Sequence, residues 1–309
     1  LAFNRLPGVL PAMSTIVVLG GTGTFGSLAV GDLLMRSGHD VAVATRHGIA
    51  EDRWPAGSEG RLTSHKIDAG HVKDVVHLLE ELRPAVLVHA VGPYFAIGSA
   101  PLEAAISTCT PYIDLCPRAF RYEELEQQFS EQCVAAGIPV FAGASTVGGI
   151  TGLLTRHAAE QMDNVAKVET VLSVHNFGWG GGLVSDYLRE TVTPTKHGRL
   201  GSKTKLFDFP DGTRRRVALG DSLEHIPTDG LCSETTHWFG LNSTLANWSM
   251  RIGERLAVLG VPVWHLAGLG GWLAGRLGGH RTDGVLVHDA YGKKNGEDGM
   301  LRTTVIRPF

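Results

Sequence analysis

The stretch from Thr15 to Arg46 constrains this chain more than any other. An apolar, β-branched run, Thr15-Ile16-Val17-Val18-Leu19, enters a glycine cluster, Gly20-Gly21-Thr22-Gly23-Thr24-Phe25-Gly26. A helical stretch and a second strand-like run, Val41-Ala42-Val43-Ala44-Thr45-Arg46, follow. Strand, glycine turn, helix and strand in that order are the layout of a dinucleotide-binding βαβ unit. Gly21, Gly23 and Gly26 fit G-x-G-x-x-G, in which glycine lets the backbone turn tightly and approach a pyrophosphate at a helix N-terminus. The chain holds 40 glycines, so the spacing alone is a weak signal and a purely structural turn is the alternative. The agreement of strand, spacing and helix carries the nucleotide reading.

The end of the second strand bears on which nucleotide. An NAD-binding unit usually places Asp or Glu about 20 residues beyond the glycines, where it accepts from the ribose 2′-hydroxyl. Here the chain has Thr45, Arg46 and His47. A guanidinium fork matches a 2′-phosphate that a carboxylate would repel, so NADP(H) is expected in preference to NAD(H). The bland alternative is that Arg46 is a solvated residue after a strand.

A length of 309 residues suggests two domains or one large one. With 43% hydrophobic and 19% charged residues, the composition is that of an ordinary globular protein, and a net charge of −3 gives no electrostatic reason to expect nucleic acid. Cys109, Cys116, Cys133 and Cys232 form no CxxC pair, and no histidine sits in a metal-ligand spacing, so no metal is expected. The cysteines read as free, mostly buried thiols of a reducing, cytoplasmic compartment. Residues 1–12 lack the pattern of a signal peptide and are expected to be a disordered extension before Met13. Leu256 to Gly275 is twenty residues without a formal charge, just long enough for a bilayer. Its five glycines, Pro262 and His265 favour a buried or interface helix pair, with a membrane-surface segment and, last, a true span as the alternatives.

Strands and helices keep alternating after the glycine cluster. A third strand is expected over 64–69, ending near Asp68, and a helix over 72–82 with Val72, Val75, Val76, Leu79 and Leu82 on one face. A fourth strand covers 85–90, a helix 101–108, a short strand 112–115, a helix 121–136 and a last strand 138–142. This describes an α/β, Rossmann-type doubly wound parallel sheet over residues 14–146. The pattern then changes. A helix over 149–162, a strand over 167–174 and a hairpin turning at Pro210-Asp211-Gly212 are expected, followed by a strand over 235–241 and the pair 284–291 and 300–307, separated by Lys293-Lys294-Asn295-Gly296. Residues 147–309 read as a second α+β domain with antiparallel strands, for substrate binding or dimerisation, a homodimer remaining open. The Arg214-Arg215-Arg216 triplet reads as a solvated edge rather than an anion site.

The stretch His89-Ala90-Val91-Gly92-Pro93-Tyr94, with Thr110-Pro111-Tyr112-Ile113-Asp114 beyond it, resembles the NADP-binding domain of the saccharopine dehydrogenase family. The resemblance covers residues 14–150 well and the remainder loosely. It implies that Gly20 to Gly26 hold the pyrophosphate, Thr45 and Arg46 the adenosine phosphate, and Asp68 the adenine or its ribose. It further implies that Ala90, Val91, Gly92 and Pro93 pass under the nicotinamide ribose, and that Tyr94 and Asp114 face the nicotinamide and substrate as catalytic candidates. Residues 151–309 show no secure clamp for an amino-acid carboxylate, so the substrate stays open between a small molecule and a lipid-like one. Family members close with a helix that returns to the nucleotide domain, which leaves a continuation past Phe309 open.

The function expected is an NADP(H)-dependent oxidoreductase that moves hydride to or from a C=N, C=O or C=C bond. Alternatives are an enoyl reductase acting on an apolar substrate, and a non-catalytic NADP(H)-binding protein, NmrA-like or with a peripheral membrane contact through 256–275. The standard short-chain dehydrogenase pair is excluded, because none of the five tyrosines has a lysine four residues on.

Overall fold

A computed structural model describes residues 13–48, 54, 58, 60–115, 119–174, 194–195, 198–199, 203–219, 230–241, 244–263 and 283–308. The chain divides into two compact units, residues 1–116 with 120–144, and residues 117–119 with 145–309.

The first unit is built on β1 (Thr15–Leu19), α1 (Thr24–Arg36), β2 (Asp40–Thr45), β3 (Leu62–Lys66), α2 (Val72–Leu82) and β4 (Val86–His89). It continues with α3 (Tyr94–Ile97), α4 (Ala100–Ser107), β5 (Tyr112–Asp114), α5 (Ala119–Ala136) and β6 (Val140–Phe141). All six strands are parallel, in the order β3-β2-β1-β4-β5-β6. Successive side chains of a strand point to opposite faces, and here both faces are covered. Val17, Leu19, Ala42, Ala44 and Leu87 pack against residues of α2, α4 and α5, while Ile16, Val18, Val41 and Val43 pack against Val30 and Leu34 of α1. That is why β1 and β2 read as unbroken apolar runs rather than alternating ones.

The second unit opens with a π-helical turn, Thr146–Ile150, that runs into α6 (Thr151–Ala159), and continues with β7 (Asn164–Val174). A short pair, β8 (Pro194–Thr195) and β9 (Gly198–Arg199), precedes β10 (Thr204–Asp208), β11 (Arg214–Leu219) and β12 (Glu234–Leu241). Helix α7 (Thr244–Val258) and the hairpin β13 (Asp283–Lys294) and β14 (Glu297–Pro308) complete it. The main sheet runs β10-β11-β12-β7-β13-β14. It is mixed rather than wholly antiparallel, because β12 lies parallel to β7, with Trp238 opposite Val171. Parallel neighbours need a long connection, and here the chain supplies it with the β10–β11 hairpin.

Several expectations need correction. The third strand is Leu62–Lys66, so Asp68 lies beyond its end. The helix expected over 149–162 is split into the π-turn and α6. Of the described cysteines none is buried: Cys109 is exposed, and Cys133 and Cys232 are half-buried. Within 256–263, Leu256, Val258, Leu259 and Val261 are exposed and only Ala257 and Val263 are buried. Residues 264–275 and the extension 1–12 lie outside the described residues. Among the described residues no helix is long and apolar enough to cross a membrane.

Candidate functional site

In a 3-2-1-4 strand order the chain leaves β1 and β4 in opposite directions, which opens a crevice at their carboxyl ends. The first unit has that crevice, a cleft of about 590 Å³ including its open mouth. Gly20, Thr22 and Gly23 line it from the turn after β1, and Ala44, Thr45, Arg46 and His47 from the end of β2. Ile67, Asp68 and Ala69 contribute from beyond β3, and Ala90, Val91, Gly92 and Ile97 from beyond β4.

The glycine turn is built by close backbone approaches. Gly20 has φ +75° and donates its N–H to Ala44 O at 2.8 Å, while its own carbonyl accepts Gly23 N–H at 2.8 Å. A Cβ on Gly26 would stand 2.2 Å from Gly20 O, so a side chain there would force the turn open. A Cβ on Gly21 would meet Val43 at 2.8 Å. Gly21 and Gly26 therefore shape the turn without lining the cleft, whereas Gly20, Thr22 and Gly23 line it. Phe25 is 44% exposed on the first turn of α1 and is also outside the lining. Gly23 caps α1 without a side-chain bond, and no acidic residue occupies the first turn, which begins at Thr24. The N–H groups of that turn and the helix dipole thus favour an anion.

The end of β2 is folded by Thr45. Its Oγ1 accepts the His47 N–H at 3.0 Å and donates to Gly48 O at 3.5 Å, which turns the chain and brings Arg46 and His47 to the cleft. Both are exposed, so this end of the cleft carries a guanidinium and an imidazole. Asp68 is the carboxylate on the β3 side; one oxygen accepts the Gly70 N–H at 2.9 Å, fixing the turn that starts α2.

The wall beyond β4 is Ala90–Gly92, followed by a cis Gly92–Pro93 bond and Tyr94, the first residue of α3. Pro93 and Tyr94 stand beside the lining rather than in it. The Tyr94 ring lies 5.1 Å from the His89 ring, tilted by 52°, and its hydroxyl donates to His89 O at 3.5 Å. Asp114 is buried, and its carboxylate accepts the Gly143 N–H at 2.9 Å while its carbonyl accepts that of Ala144 at 2.8 Å. It organises the exit from β6 and is not brought to the cleft.

Sequence reasoning missed Ala44, His47, Ile67, Ala69 and Ile97 as lining residues. His47 alone had a signal, as the residue after Arg46; the others enter only through strand order. Among the described residues no group of three or more His, Cys, Asp or Glu could hold a metal ion. The arginine triplet is engaged elsewhere. Arg214 pairs with Asp208 at 3.3 Å, Arg215 pairs with Asp211 and lies 4.3 Å over Phe209, and Arg216 donates to Thr204 at 3.1 Å.

The chain matches no protein-family model and no curated protein. Among solved structures, the saccharopine dehydrogenase (L-Glu forming) of Saccharomyces cerevisiae aligns with 95% of this chain and 85% of its own, at 15% identity and a TM-score of 0.61. The amine dehydrogenase of Mycobacterium smegmatis aligns with 94% of this chain and 86% of its own, at 12% identity and a TM-score of 0.54. Both alignments take in nearly the whole chain, and the fold is saccharopine dehydrogenase-like: an α/β, Rossmann-type parallel sheet joined to a unit with a mixed sheet.

Proposed function

We propose that the chain is an NADP(H)-dependent oxidoreductase that moves hydride to or from a C=N, C=O or C=C bond of a small or lipid-like substrate. The observation that carries the cofactor is the β2 end of the cleft, where Arg46 and His47 stand in place of the carboxylate that would accept from a free ribose 2′-hydroxyl. The oxidoreductase reading draws its support from the fold shared with two proteins named as dehydrogenases.

The residues present fit a dinucleotide. The turn at Gly20–Gly26 leaves no room for side chains at Gly20 or Gly26, so backbone N–H groups and not side chains meet a pyrophosphate there. Arg46 binds the 2′-phosphate as a donor fork, and Asp68 accepts from the adenine or its ribose. When bound, the cofactor supplies the hydride chemistry. Ala90–Gly92 orients the ribose next to the nicotinamide by backbone contact, since the exposed Gly92 offers no side chain to obstruct it. Tyr94, half-buried beside this wall, is our candidate to hold a proton for the reacting centre, for which its hydroxyl would exchange the His89 carbonyl for the substrate. Asp114 acts through the Gly143–Ala144 backbone it holds.

Calorimetric titration with NADPH and NADH tests the cofactor reading. Wild type should bind NADPH more tightly than NADH, and Arg46→Asp should weaken NADPH by about 1.5–3 kcal/mol while sparing NADH. Equal loss of both would show that Arg46 does not read the 2′-phosphate. Substrate-dependent oxidation of NADPH then separates an enzyme from a nucleotide-binding protein.

A further inference from the structure

The wall Ala90–Gly92 is tied to β1 at its first residue, where the Ala90 N–H donates to Leu19 O at 3.0 Å, and at Val91 by one buried imidazole. His89, the last residue of β4, is 1% exposed, and its two neighbours decide where its proton sits. Nε2 lies 3.1 Å from Val91 O, which can only accept, so Nε2 carries the hydrogen and donates it. Nδ1 lies 2.7 Å from the Tyr112 hydroxyl and, in the neutral ring, accepts from it. Tyr112 is itself buried and tied into the sheet opposite Leu87. The Tyr94 ring closes over the imidazole at 5.1 Å.

Val91 in turn stands against the glycine turn. A Cβ on Gly20 would meet Val91 Cγ2 at 2.9 Å and Ala90 O at 3.0 Å, so no slack separates the two walls of the cleft. A chain of contacts thus runs from Tyr112 through His89 to Val91 and on to Gly20. It bears on the β4 side of the cleft and not on Arg46, His47 or Asp68, which hang from β2 and β3.

We propose that His89 is a positioning residue for the nicotinamide half of the bound dinucleotide: its Nε2–H holds the Val91 carbonyl and so sets the Ala90–Gly92 backbone on which that half rests. This inference rests on the dinucleotide reading above. Leucine at this position keeps an apolar bulk but removes the Nδ1 and Nε2 hydrogen bonds, and the wall loses its tie beyond Ala90, whose N–H stays on Leu19 O. Glutamine can place an amide N–H near where Nε2 stands.

The test titrates wild type, His89→Leu and His89→Gln with NADPH and with 2′,5′-ADP, which carries only the adenosine half. His89→Leu should bind NADPH about tenfold more weakly, the scale of one net hydrogen bond, and hold 2′,5′-ADP within about twofold. His89→Gln should recover most of the NADPH affinity. A role confined to folding would instead weaken both ligands together, and that result, or NADPH binding unchanged in His89→Leu, overturns the proposal. If His89→Leu does not fold, Tyr112→Phe decides: a loss of about threefold for NADPH alone is expected, and none overturns it. Wild type that binds neither ligand overturns the dinucleotide reading itself, and the proposal with it.

Discussion

His237 is the residue most at odds with its surroundings. It lies on β12, buried, and neither ring nitrogen has a partner among the described residues. In the sheet register it stands opposite Thr170 on β7, which stands opposite His288 on β13, so the three form one row. His288 has what His237 lacks: Nδ1 lies 3.0 Å from Thr170 Oγ1 and Nε2 3.4 Å from Thr155 Oγ1. Burial pushes both imidazoles towards the neutral form, His237 to about 3, lowered further by His288, and His288 to about 4 against the opposing pull of Asp289. The sign of the consequence follows from proton uptake. Above pH 6.5 neither state binds these protons, and the stability is full. As the pH falls from 6.5 towards 4 and 3, the unfolded chain takes up protons that the folded chain refuses, and stability is lost. At pH 5 that amounts to about 2 kcal/mol per histidine. Urea unfolding at pH 7 and pH 5 should therefore show a drop about 2 kcal/mol smaller in His237→Leu than in wild type. Equal drops would mean that His237 is not held neutral by the fold.

At the scale of elements, the β13–β14 hairpin shows how a strand pair is locked. Its two-residue turn, Asn295-Gly296, has φ of +54° and +81°, the left-handed pair that suits a tight hairpin. Asp289 and Arg302 face each other across the pair, and Arg302 holds both carboxylate oxygens at 2.7 and 2.6 Å. Asp289 is 1% exposed, so removing its partner strands a buried carboxylate. Arg302→Met should cost about 3 kcal/mol in urea unfolding, and adding Asp289→Leu should return part of it. A single-variant loss within about 0.5 kcal/mol, the range of an ordinary surface change, would show that the pair does not hold the hairpin. This hairpin was legible in the sequence because its turn is a local dipeptide, and β1–α1–β2 was legible because a β-branched run meets glycines at a fixed spacing. The ends of β3 were not. It is the edge strand of its sheet, its residues are half-buried or exposed, and no apolar run marks where it stops. The direction of β12 was not legible either, since alternation along a strand says which face is buried and nothing about which way its neighbour runs. The site divides in the same way. Gly20, Thr22 and Gly23 lie in one local motif, but Ile67, Ala69 and Ile97 join them only because β3 and β4 flank β2 and β1.

At the scale of the molecule, the cleft belongs to one unit. Among the described residues, those that line it fall between Gly20 and Ile97, inside the unit that ends at Ala144. Both faces of its sheet are closed by its own helices, and the buried residues of those two cores run from Ile16 to Phe129. Among the described residues none comes from the unit that begins at Ser145. A parallel sheet with both faces covered needs no further layer to bury its strands. At about 130 residues it is also of ordinary single-domain size. A fragment spanning residues 13–144 should therefore unfold cooperatively and bind 2′,5′-ADP within about threefold of the full chain, a difference of well under 1 kcal/mol. Circular dichroism melting and calorimetric titration check the two halves of that expectation. A fragment that melts without a transition would mean that the second unit supplies part of the first unit's stability. A folded fragment that binds NADPH but fails to turn over a substrate accepted by the full chain is the expected companion result. That pair of results would assign the nucleotide to residues 20–97 and leave the choice of substrate to the second unit.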